Sequence, residues 1–224
     1  MTTDDEGWAE ATKDNIDPKV VRPLPRIPKA VSFQNARLVG SGLHSEVYSV
    51  SATYKTKTVT VALKFFSEAW KEKFEAEVRA YEFLVHSSVS GVVPTVYGCD
   101  RDWDLERLQK TLGNTREPTS RLRPPVSVVM MEYISESVPL SPDNVTWRIC
   151  KEVLRGLYLI HSAQVLQRDV AERNILVVSS TGRVVWVDFS SSHINPDDME
   201  SWDESKMADS ILYQHVVYPP QMHG

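Results

Sequence analysis

Leu166-Gln167-Arg168-Asp169-Val170-Ala171-Glu172-Arg173-Asn174-Ile175-Leu176 is the stretch on which the reading of this chain turns. It follows an apolar run from Leu157 to Val165 and leads into a second one, Ile175–Val178, so the polar residues fall in a loop between two apolar elements. Asp169 is a carboxylate able to accept a proton from a hydroxyl, and Asn174 offers an amide oxygen able to bind a hard metal ion. Another aspartate, Asp188, ends the apolar strand Val184-Val185-Trp186-Val187, 19 positions after Asp169. A carboxylate at a strand end can chelate a magnesium ion that bridges phosphates.

Upstream, Gly40-Ser41-Gly42-Leu43-His44-Ser45-Glu46-Val47 lies between two strand-like runs. It fits G-x-G-x-x-G-x-V except that Ser45 replaces the third glycine. The first two glycines let backbone approach phosphate oxygens without a Cβ in the way; read alone, the stretch is equally a hairpin. Val61-Ala62-Leu63-Lys64 follows, with Ala62 and Lys64 on one face and Leu63 and Phe65 on the other. A lysine on a cleft face needs an anionic partner. At about 100° per residue, Glu77 falls about 20° from Trp70, in the middle of an apolar stripe of Phe74, Val78, Tyr81, Leu84 and Val85. A carboxylate there is costly unless paired, and Lys64 is its natural partner, with Glu75 as the alternative.

Taken in order, Gly40, Gly42, Lys64, Glu77, Glu132, Arg168, Asp169, Asn174, Asp188 and Phe189 resemble the signature series of the protein kinase-like superfamily. The resemblance covers about residues 35–192 and implies an α+β, two-lobed fold that binds ATP and Mg2+ between its lobes. By the same resemblance Met130-Met131-Glu132-Tyr133-Ile134 is the hinge. Met131 would gate the adenine pocket, and the Glu132 carbonyl and Ile134 amide would bond the adenine edge. Gly40, Ser41, Gly42, Val47, Ala62 and Lys64 would complete the nucleotide site, with Glu77 holding Lys64, and Asn174 and Asp188 holding the metal. Arg173 would contact substrate or phosphate. His161 reads as a packing residue at a helix end.

Gln167 stands where protein kinases carry histidine, and Ser190 where Asp-Phe-Gly has glycine. Neither is a metal or phosphate ligand; Ser190 is expected to restrict movement of Asp188. Only 36 residues follow Asp188 and no Ala-Pro-Glu is among them. A reduced C-terminal lobe is therefore expected, resembling small fungal kinase-like proteins and, more distantly, RIO-type and aminoglycoside phosphotransferase-like proteins.

The expected organisation is a proline-rich, disordered tail over 1–31, an N-terminal lobe over 32–136 with a charged insert at 100–125, and a mostly helical lobe over 137–224. Helices are expected from Ser67 to His86, from Trp103 to Leu112, from Ser141-Pro142 to about Ala163, and over 198–213. Net charge of -5 gives no general nucleic-acid footprint. No apolar stretch approaches the roughly 20 residues needed to span a bilayer. The polar N-terminus and the two widely spaced cysteines, Cys99 and Cys150, point to a reducing intracellular setting, cytoplasmic or nuclear. The acceptor is then a hydroxyl, on protein Ser/Thr or on a small molecule. The rival readings are a pseudokinase acting as a binding or scaffold module, and an ATPase.

Overall fold

The computed structural model describes residues 16–112, 122, 126–195 and 198–217. Its N-terminal half is a five-stranded antiparallel sheet of β1 (Ser32–Ser41), β2 (Ser45–Tyr54), β3 (Lys57–Ser67), β4 (Val96–Trp103) and β5 (Val126–Glu132), ordered β1-β2-β3-β5-β4. Strand β4 starts only after Pro94. Pro94 has no N–H for a ladder, and the Thr95 amide donates to the Glu132 side chain at 3.1 Å. Pairing with β5 therefore begins at Val96.

Period-two alternation along β3 sorts the core. Ala62 and Phe66 join Phe74, Val78 and Tyr81 of helix α1 (Lys71–His86) in one apolar cluster. Val61, Leu63 and Phe65 face the other way, with Trp103, Leu108 and Leu112, in a second cluster. Helix α2 (Leu105–Leu112) covers that second face and lies against β1. The 100–125 segment, expected as a charged insert, thus supplies core where it is described, because its apolar residues repeat at helical spacing beneath the charges. Residues 113–121 and 123–125 lie outside the described residues. Ser67 does not cap α1: its side chain makes no capping bond, and a 3-10 turn, Glu68–Trp70, intervenes. Val85, placed in the apolar stripe by the helical wheel, is exposed at the end of α1.

Residues 16–31 also depart from the expectation of a tail. Val21 and Ile27 are buried, and Arg26 forms a parallel bridge with Cys99 at the free edge of β4. Proline forbids a central strand but tolerates an edge. Residues 1–15 lie outside the described residues.

The C-terminal half carries β6 (Ser137–Pro139), helix α3 (Trp147–Ser162), β7 (Val165–Leu166), β8 (Ile175–Val178), β9 (Val184–Trp186), β10 (His193–Ile194) and helix α4 (Asp198–Val217). Strands β6, β8 and β9 form one small sheet in that order, and β7 pairs β10. Ser141-Pro142 does not start α3. Asn144 closes a turn there, accepting from the Ser141 amide at 2.9 Å and donating to the Pro139 carbonyl at 2.7 Å. The cap is Thr146, whose hydroxyl accepts from the Ile149 amide at 3.2 Å. Gly156 lets α3 sit directly on β9, since a Cβ there would lie 2.8 Å from the Trp186 indole nitrogen.

Candidate active site

Between the two halves lies a cleft of about 660 Å³. It is lined by every residue assigned above to the nucleotide, the metal or catalysis: Gly40, Ser41, Gly42, Val47, Ala62, Lys64, Glu77, Met131, Glu132, Ile134, Asp169, Asn174 and Asp188.

The glycine loop joins β1 to β2. The Gly42 amide donates to the Ser45 carbonyl at 2.9 Å, closing the turn. Neither Gly40 nor Gly42 has positive φ, and a Cβ at either would meet no protein atom closer than 3.7 Å. The fold itself does not demand glycine here. The His44 ring packs edge-on against Trp70, centroids 4.2 Å apart, and so ties the loop tip to the turn that precedes α1.

Strand β3 brings Lys64 into the cleft, 5% exposed, where Nζ bonds Glu77 Oε2 and, at 2.9 Å, Asp188 Oδ1. Glu75, the alternative, is instead taken up by a two-pronged pair with Arg101, both distances 2.9 Å. One cation thus serves two carboxylates, unequally. Burial would lower the Lys64 ammonium, but Glu77 and Asp188 together hold it above its usual value. Burial pushes Glu77 up to about 7 despite Lys64, and its Oε1 has no hydrogen-bond partner. Burial would likewise raise Asp188, yet Lys64 and the Ser190 hydroxyl draw it down to about 2. The Ser190 hydroxyl donates to Asp188 Oδ1 at 2.7 Å.

A pH dependence follows. Glu77 is raised from 4.5 to about 7, so its contribution to stability is full below the unfolded value and is lost as pH rises through about 7. Asp188 is lowered from 3.8 to about 2, so its contribution is full above 3.8 and is lost as pH falls through about 2. Urea unfolding of the free protein between pH 5 and 8 is expected to show stability declining by at least about 1 kcal/mol from the Glu77 limb. In Glu77→Gln that limb should be absent.

The loop after β7 holds Asp169 and Asn174. Asn174 Nδ2 donates to the Asp169 carbonyl and to Asp169 Oδ2, both at 2.8 Å. Arg173 Nη2 reaches both carboxylate oxygens, at 2.7 and 2.9 Å. Gln167 ties this loop to Asp188. Its Oε1 accepts from the Asp169 amide at 2.8 Å, and its Nε2 donates to the Asp188 carbonyl at 3.0 Å. An amide side chain offers both a donor and an acceptor, so Gln167 couples the two aspartates. Positive φ falls on Asp188 (62°) and not on Ser190. The serine therefore carries no backbone strain, and its grip on Asp188 is a hydrogen bond. Phe189, fully buried, packs on Tyr81 of α1 with ring centroids 5.3 Å apart.

Two residues escaped the sequence reading. Glu204 of α4, buried, accepts from the Gln167 amide at 3.1 Å and the Arg168 amide at 2.5 Å, and lies 2.6 Å from His161 Nε2. His161 is thus a buried structural partner and not a cleft residue. Arg183, in the turn before β9, pairs with Glu132 at 2.7 Å and donates from Nε to the Gly91 carbonyl at 2.9 Å. The Arg183 hydrogen bond draws Glu132 below its usual value. The Glu132 side chain is therefore committed to the fold.

The donor set suits a magnesium ion shared with phosphates. Asp188 Oδ2 and, with Nδ2 committed to Asp169, Asn174 Oδ1 are hard oxygens at one end of the cleft. No cluster of three or more His, Cys, Asp or Glu that could cage a metal occurs among the described residues. Magnesium typically takes one or two protein oxygens, with substrate phosphates and water completing the shell.

The protein kinase domain model matches residues 33–208, which spans both halves and the whole cleft. The chain belongs to the protein kinase domain family. Its fold is the α+β kinase fold with a small C-terminal part. The kinase domain is similar to mitogen-activated protein kinase p38a of Drosophila melanogaster, 26% identical over 150 residues, which are 65% of this chain and 38% of that protein. It is also similar to serine/threonine-protein kinase mig-15 of Caenorhabditis elegans, 24% identical over 162 residues, 71% of this chain and 14% of that protein. The chain thus spans well under half the length of these relatives. Among its described residues no helix is long and apolar enough to cross a membrane.

Proposed function

We propose that this kinase domain is an ATP- and Mg2+-dependent phosphotransferase whose acceptor is a serine or threonine hydroxyl of a protein. The observation that carries the reading is Lys64, buried and held by Glu77 and Asp188 on the cleft wall beside the Asp169–Asn174 pair. A cation fixed in that way neutralises phosphate charge without reorganising during reaction. Mg-ATP supplies the γ-phosphoryl group. The acceptor oxygen attacks phosphorus, the bond to the β–γ bridging oxygen breaks, ADP leaves, and Asp169 orients the hydroxyl and takes its proton. Arg173, bonded to Asp169, holds that carboxylate in place. Ser/Thr is favoured by the likeness to mig-15, a serine/threonine-protein kinase; a small-molecule alcohol is the next acceptor to try.

One observation favours a second reading, a nucleotide-binding module without transfer. Both Asp169 oxygens are already engaged by Arg173, and transfer requires one of them to be released.

The deciding experiment is a thermal-shift titration with ATP, with and without magnesium, on the wild type and on Asp188→Ala. A ligand that binds only the native state stabilises it by RT ln(1 + [L]/Kd). The expected result is a magnesium-dependent rise that Asp188→Ala loses. No shift in either protein would overturn both readings.

A further inference from the structure

Helix α1 is clamped from outside by the chain's own N-terminal segment. From Glu77, Arg79 and Glu82 lie roughly 200° and 140° around the helix, away from Lys64. Arg79 Nη2 donates to the Pro18 carbonyl at 3.1 Å, and its Nη1 bonds Glu82 Oε2 at 3.0 Å. Glu82 Oε1 in turn accepts from the Leu24 amide at 3.2 Å. Val21, 6% exposed, enters the same apolar cluster as Phe74, Val78 and Tyr81.

The other end of the segment is fixed to the sheet. The Cys99 amide donates to the Pro25 carbonyl at 3.0 Å, and the Ile27 amide donates to the Cys99 carbonyl at 3.1 Å. Arg26 pairs with Asp100 at 3.2 Å, and Ile27 is fully buried in the cluster on the far face of the sheet. The fit is close: a Cβ on Gly98 would lie 2.5 Å from the Pro25 carbonyl oxygen.

The inward side of α1 supplies the reason for a clamp. Glu77 is fully buried and its Oε1 has no partner. A buried, half-satisfied carboxylate favours movement of its helix toward water. We propose that residues 17–27 are a strap that positions α1, so that the grip of Glu77 on Lys64, and with it nucleotide affinity, depends on the strap being seated. This rests on the reading of Lys64 as the phosphate-holding lysine. Anything that lifts residues 17–27 would then switch the cleft off without touching it.

The test uses the full chain, with Val21→Asp and Gly98→Ala each made alone and in a Glu77→Gln background. Hydrogen exchange reads α1, and calorimetric titration reads Mg-ATP affinity. Both strap variants are expected to speed exchange of α1 amides by about tenfold or more and to weaken Mg-ATP to a similar degree. In the Glu77→Gln background they should cost no further affinity, because the strap acts through Glu77. Val21→Ile should leave both as in the wild type. Unchanged α1 protection, or affinity losses equal with and without Glu77, would overturn the strap. Should Val21→Asp fail to fold, Glu82→Gln carries the same comparison. If the wild type binds no Mg-ATP, the proposed function falls, and α1 protection still decides whether the strap holds the helix.

Discussion

Asp169→Ala is expected to slow phosphoryl transfer by roughly 10²–10⁴-fold while leaving Mg-ATP affinity nearly unchanged. The carboxylate is part-exposed in the cleft and bonded to Arg173 and Asn174, whereas Lys64 is bonded to Glu77 and Asp188. Its loss therefore leaves the Lys64–Glu77–Asp188 group as it was. The loop should survive, because Asn174 keeps its bond to the Asp169 backbone carbonyl and Gln167 keeps its bond to the Asp169 amide. Single-turnover transfer of labelled phosphate, set beside calorimetric ATP binding, checks both halves of the expectation. A wild type that binds Mg-ATP but transfers nothing would favour the binding module. Phosphate release without a labelled acceptor would favour an ATPase.

The second large effect lies away from the cleft. Glu204→Ala is expected to destabilise the fold by about 3 kcal/mol or more, because one carboxylate holds the Gln167 and Arg168 amides and the His161 ring. Its removal strands two buried partners, Gln167 and His161, and the part-buried Arg168 amide. It also frees Arg168, whose φ of 60° is uncommon for a non-glycine residue and has to be held by its surroundings. Asp169 is the next residue, so transfer should fall along with stability. Glu204→Gln keeps one accepting oxygen and should give an intermediate loss. Urea midpoints at constant slope, with transfer assays on the still-folded fraction, measure the two losses separately.

How much of this was legible follows from where the signals lay. The cleft residues sat in short motifs with fixed spacing, and the Lys64–Glu77 pair could be chosen because a helical wheel placed one carboxylate inside an apolar stripe. The same wheel, run on α4, would have found Glu204, since Glu204, Ala208 and Leu212 fall on one four-residue row and all three are buried. That helix is acidic and weakly patterned, which hid the row. The start of α3 was misplaced by a rule that holds locally, Ser before Pro, and that lost here to the Asn144 turn. Helix α2 forms within the expected Trp103–Leu112 span, but its packing on the sheet, like the strap, was unreadable for another reason. Proline and charge describe residues 16–31 and 100–112 well enough, but what orders them is distant: Cys99 for one and the far face of β3 for the other.

The sheet has two outer strands, and each is protected differently. Along β1 the pairing with β2 slips twice, between Gln34 and Arg37 and between Leu38 and Gly40, and Asn35 takes a φ of 55°. Such irregularities make a poor template for a neighbouring chain. Strand β4 also slips against β5, between Val96 and Gly98 and between Asp100 and Trp103, and between those slips the outward backbone groups of Cys99 are covered by Pro25 and Ile27. A molecule that sheds residues 17–27 therefore exposes an unpaired strand edge beside a vacated apolar slot. Self-association, rising with protein concentration, is the visible cost of leaving that edge open.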